Sequence, residues 1–194
     1  MKKITFFSLI LVLTVFVACD NTPKEVVTET GEVDVNSLNM ENLLAEIKKR
    51  EAAFKKTETV DRENGILLME AYVAFEERFP NREHAAGFLF KAGEIAMGVG
   101  EPVDAIRYLD KLYNEHPNFE KRAYGLFLKA FVLENQVFNL DEAKIAYELF
   151  LSEFPAHEMA DDARASIENL GKTPEQIIRE FEVRDSIAKA NGEA

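Results

Sequence analysis

Three prolines constrain any fold of this chain: Phe79-Pro80, His116-Pro117 and Phe154-Pro155 recur at intervals of 37 and then 38 residues. Proline has no amide hydrogen and its ring clashes with the turn before it, so each of the three marks a helix end. Ahead of each proline the same spacing returns. Tyr72, Phe75 and Phe79 correspond to Leu109, Leu112 and His116, and again to Tyr147, Phe150 and Phe154. Behind each proline Ala85, Phe88 and Ala92 align with Ala123, Leu126 and Ala130, then with Ala160, Ala163 and Ile167. Offsets of three, four and seven are those of one helix face. A period of this length built from helix pairs is the pattern of an α-solenoid.

The pattern predicts an all-α chain with helices over 41–56, 61–79, 82–98, 102–116, 119–136, 139–154, 157–170 and 174–190. Nine glycines and six prolines in 194 residues leave little material for a loop-rich β fold. Pro102 suits a first helical turn, where its missing N–H costs nothing. Thr173-Pro174-Glu175-Gln176 reads as a capping box opening the last helix. That helix, within 173–194, is expected to cap the end of a repeat domain spanning 40–172, since solenoids need polar ends.

The formal charge of −12 argues against nucleic acid, whose phosphates are held by clustered Lys and Arg. Cys19 is the single cysteine, so neither an intrachain disulfide nor a cysteine metal cluster is available.

Residues 1–18 have the layout of a secretion signal: Lys2 and Lys3, an apolar run from Ile4 to Val17, then an abrupt polar turn after Cys19. The run is too short to span a membrane comfortably. Phe16-Val17-Ala18-Cys19 resembles the lipobox of bacterial lipoproteins, which implies lipidation at Cys19 and a membrane-anchored place in the cell envelope, facing the periplasm from the outer membrane. The other reading is an ordinary cleaved signal with Cys19 incidental. Asp20 to Asn39 is polar and aperiodic and is expected to be a flexible tether, within a 19–39 segment that begins at the lipidated cysteine.

The repeats resemble tetratricopeptide repeats over roughly residues 41–170. Gly93 and Ala130 stand at that family's small first-helix position, Ala105 and Ala143 at its second-helix alanine, Tyr72 and Tyr147 at its aromatic, with the three prolines closing. Leu68 departs from the alanine, and Trp is lacking. The Tyr-x-x-Phe-x-x-x-Phe-Pro pattern looks most like the envelope members of the BamD and YbgF type. The resemblance implies a protein-binding groove lined by each repeat's first helix, here Phe90, Glu94 and Met97, then Tyr124, Phe127, Phe131, Glu134 and Asn135. These aromatics either line a groove or pack as core, with Tyr124 and Phe131 the stronger groove candidates.

Other chemistry is thin. His157-Glu158-Met159-Ala160-Asp161 offers two ligand types at i and i+4 but no third, so acids at a helix start are the simpler reading. Glu76-Glu77 and Asp161-Asp162 are adjacent in sequence and point apart on a helix, which suggests solvated faces. His116 stands where the other repeats put Phe and is expected to be a half-buried helix end. No catalytic residue, metal or cofactor is expected. The chain reads as a lipid-anchored scaffold or adaptor for other envelope proteins, with outer-membrane protein assembly as one setting. The alternatives are a division or peptidoglycan coordinator of the YbgF type and, in another class, a small ligand-binding lipoprotein.

Overall fold

The computed structural model describes residues 33–55 and 61–191. Cys19, the signal segment and the first part of the expected tether lie outside the described residues. The described chain is all-α: α1 (Met40–Phe54), α2 (Arg62–Arg78), α3 (Ala85–Val99), α4 (Pro102–Glu115), α5 (Arg122–Val132), α6 (Leu140–Glu153), α7 (Ala160–Asn169) and α8 (Pro174–Asn191). A 3₁₀ turn, Val35–Ser37, precedes α1, and a π turn, Leu133–Val137, extends α5. From α1 to α7 each helix packs on the next, which makes the body a solenoid of helix pairs.

The sequence repeat is written into the backbone. The amide of Phe79 bonds the carbonyl of Phe75 at 2.9 Å, that of His116 bonds Leu112 at 3.0 Å, and that of Phe154 bonds Phe150 at 2.8 Å. All three residues leave the α region at nearly the same angles, φ −135, −120 and −128 with ψ 49, 63 and 52. Each proline then takes the second place of a turn closed by Arg82, Phe119 or His157, and a second turn ends at Ala85, Arg122 or Ala160. These tandem turns correct the expected starts of the first helices: α3, α5 and α7 begin at 85, 122 and 160, three residues later than the periodicity suggests.

Small residues set the helix spacing. A Cβ on Gly93 would meet the Leu109 side chain at 2.8 Å, and one on Gly125 would meet Leu112 at 2.8 Å. Aliphatic side chains at 109 and 112 therefore fill the middle of the body against bare backbone. The flanking repeats use rings instead. Tyr72 stacks on Phe88 at 4.9 Å, with Phe75 edge-on at 5.1 Å. Phe127 meets Tyr147 at 5.6 Å and Phe150 at 5.7 Å. Both tyrosines use their hydroxyls alike, Tyr72 donating to Glu51 and Tyr147 to Glu134, each on the preceding first helix or its extension.

Three further expectations are corrected. The first concerns the tether, whose last part is packed rather than loose. Val35 and Leu38 are buried, Arg78 donates to the carbonyls of Val35 and Leu38, and Arg50 donates to those of Val33 and Leu67. Polar composition concealed this because the partners are backbone carbonyls met by arginines far along the chain. The second concerns Glu76, which is fully buried between α2 and α4 rather than solvated, bonded by Lys111 and by the half-buried His116 at 3.0 Å. Two partners offset the cost of removing that carboxylate from water. Its neighbour Glu77 is exposed.

The third concerns α8, which does not cap the end. It has no buried residue and the run of helix packing stops at α7. Ile178, Phe181, Val183 and Ile187 are all exposed on it. Thr173 and Gln176 do form the reciprocal capping bonds, at 2.8 and 3.3 Å, so the local signal was met without the tertiary role. Ion pairs of Lys172 with Glu180 and of Arg184 with Glu168 tie α8 to the body.

Candidate protein-binding face

α5 places Tyr124, Phe127 and Phe131 on one side through spacings of three and four. Their environments differ sharply. Phe127 is buried against Tyr147 and Phe150. Tyr124 is half-buried, stacked on Phe127 at 6.4 Å and near Phe90 at 6.0 Å. Phe131, one turn further, is 39% exposed. It stands in an open recess of about 420 Å³ between α5 and α7, bounded by Met159, Asp162, Ala165, Ser166 and Asn169, with the edge of Phe127 as floor. The recess exists because α7 offers alanine and serine opposite two phenylalanines.

The remaining groove candidates divide. Phe90 is buried, with Phe119 at 6.1 Å and the Lys121 ammonium 5.0 Å above its ring, so it is core. Phe127 is core as well, apart from the edge that floors the recess. Met97 is half-buried, its carbonyl accepting from the Gln136 amide at 3.2 Å. Glu134 is half-buried and committed to Tyr147 at 2.8 Å. Asn135 is exposed and donates to the Phe131 carbonyl at 3.0 Å. Glu94 is exposed at a second recess, between α1, α2 and α3. Of the eight residues, Phe131 and Glu94 stand at separate recesses, while Phe90 and Phe127 are buried and linked through half-buried Tyr124.

Burial raises the Tyr147 phenol far above its ordinary value; the bond to Glu134 works the same way and that to Ser166 opposes it. Tyr147 thus stays a neutral donor. Burial also raises the Glu94 carboxyl, against the pull of Lys121 and Lys91. His157 is taken up structurally: its Nδ1 accepts from the Met159 amide at 3.2 Å and its ring stands edge-on to Phe150. Asp161, at i+4, pairs with Arg164. Among the described residues no group of three or more His, Cys, Asp or Glu is placed to hold a metal ion. Nor is any described helix long and apolar enough to cross a membrane.

One exposed aromatic escaped the sequence reading. Phe138 follows the π turn in the left-handed region, φ 58 and ψ 30, and is 76% exposed. Helices commonly end in that conformation on glycine, because a Cβ is crowded there. The available signal was the absence of glycine between a first helix and the Asn139 cap of α6, at a place where Gly100 performs the same task one repeat earlier. No family model matches the chain, and no curated protein matches its sequence.

Proposed function

We propose that the protein is a lipid-anchored scaffold of the bacterial cell envelope, built of tetratricopeptide-like helix pairs, that binds other proteins through the face carrying Phe131. The observation that supports this most is Phe131 itself: a large ring, partly in water, over an apolar recess of about 420 Å³ that no side chain of the described body fills. A partly exposed aromatic beside a preformed recess is the kind of place where an apolar anchor of a peptide or helix docks. The lipobox-like Cys19 supports the anchor, and the −12 charge speaks against nucleic acid as the partner.

Two variants test the two halves. Crosslinking and pull-down from native membranes should recover protein partners from the wild type, and Phe131→Ala should weaken binding by about 2 kcal/mol, the scale of an interface hot spot, with little change in melting temperature. A large fall in melting temperature with normal recovery of partners would make Phe131 core and move the binding face elsewhere. Cys19→Ala should abolish labelling by a palmitate analogue; unchanged labelling would remove the anchor.

A further inference from the structure

The second recess is smaller and differently built. Its cavity is about 200 Å³, a side chain's worth of space, between the C-terminal half of α1, the middle of α2 and α3. Phe54, Leu68, Tyr72 and Ile95 give it an apolar interior. Its mouth is charged. Glu51 is already engaged, accepting from the Tyr72 hydroxyl and from Lys91 at 2.9 Å. Lys91 is engaged in turn, lying 5.4 Å from the Tyr72 ring centre and 5.5 Å from that of Phe88. Lys55, at the end of α1, acts on Glu51 through space.

Glu94 is the exception. It borders the same cavity, yet among the described residues no hydrogen bond or ion pair engages its carboxylate; Lys91 and Lys121 reach it only through space. Partial burial has already stripped some of its water, as the raised carboxyl shows. An acceptor that is partly dehydrated and unbonded gains more from an incoming donor than a fully hydrated one does.

We propose that this recess binds an arginine or lysine side chain of a protein partner lying across its rim, the aliphatic stem over half-buried Phe54 and Ile95 and the cationic head kept at the mouth against Glu94. An amphipathic side chain of that kind matches both parts of the site, since its stem is apolar and its head carries charge. At the recess Lys91 is paired with Glu51, which leaves Glu94 as the unengaged acceptor beside Lys55 and Lys121. Over longer range the chain's surplus of acidic residues, 35 against 23 basic, favours approach of a basic segment over an acidic one. The inference takes from the scaffold reading only that the side chain arrives on a protein; the cavity's preference for a cation stands apart from it.

Small probes isolate that preference. Titration of the intact chain with n-butylguanidinium, followed by amide NMR shifts, should perturb residues 51–55, 68–72 and 91–95. n-Butylurea, the same shape without charge, should bind about three- to five-fold more weakly, the scale of one partly exposed ion pair, and n-butyrate should not bind. Glu94→Gln, at an exposed position, should lower the butylguanidinium affinity to that of butylurea and leave butylurea unchanged. Equal binding of the charged and neutral probes, preference for butyrate, or shifts centred elsewhere would each overturn the proposal. None of these probes depends on Phe131, so failure here and failure of the α5–α7 recess are separate results.

Discussion

The two ends of the solenoid are built in opposite ways. At the N-terminal end, six residues without a helical pattern, 33–38, are pinned over α1 and α2 by Arg50 and Arg78, with Val35 and Leu38 buried. At the C-terminal end, an 18-residue helix with a well-formed cap has no buried residue. Regular secondary structure and tertiary packing are therefore independent here. A helix can satisfy its own backbone anywhere, whereas an irregular segment must find outside partners for its carbonyls, and the two arginines supply them. The consequence is an N-terminal end that is closed and a C-terminal end that presents α8 and the Phe131 recess to solvent.

Equal truncations at the two ends should give unequal results. Leu38→Ala removes a fully packed side chain and should cost about 2–4 kcal/mol in denaturant unfolding. A loss under about 1 kcal/mol would mean the segment is only draped on the body. Between the ends, Gly93→Ala should cost about 1–2 kcal/mol, because the new methyl collides with fully buried Leu109 by more than the gain in helix propensity returns. Phe138→Gly should raise stability by about 0.5–1 kcal/mol by relieving the left-handed backbone, less the added freedom of the unfolded chain. A loss instead would show that the exposed ring has a packing partner. Smallest of all, Phe181→Ala on α8 should change stability by less than about 0.5 kcal/mol despite deleting a phenylalanine.

How far the sequence foretold this follows from the range of each interaction. The prolines, the aromatic spacing and the capping box act within a few residues, so helix number, order and C-terminal ends were legible. The helix starts after each proline were misplaced by three residues because the second turn of each pair, closed by Ala85, Arg122 or Ala160, contains neither proline nor glycine. Arg50 and Arg78 against 33–38, and Lys111 and His116 against Glu76, join residues 17 to 43 positions apart, which no local pattern reports. Of the site, Phe131 was legible as an exposed candidate, but Phe90 and Phe127 carry the same spacing and are core. Periodicity marks the face a residue occupies; only the packing of the next repeat decides how deep it lies, and α7, with Ala165 and Ser166, is too slight to cover Phe131.

The central claim is that the packed body is complete at α7, which leaves α8 and the α5–α7 recess open. Native-state amide hydrogen exchange on the isolated protein tests it most directly. Amides of α2 to α6 should exchange only on global unfolding, whereas those of α8 should exchange many-fold faster, as a helix of this length with no buried residue is marginal in water. Protection in α8 equal to that of α5 would contradict the claim and show that the last helix closes the solenoid after all.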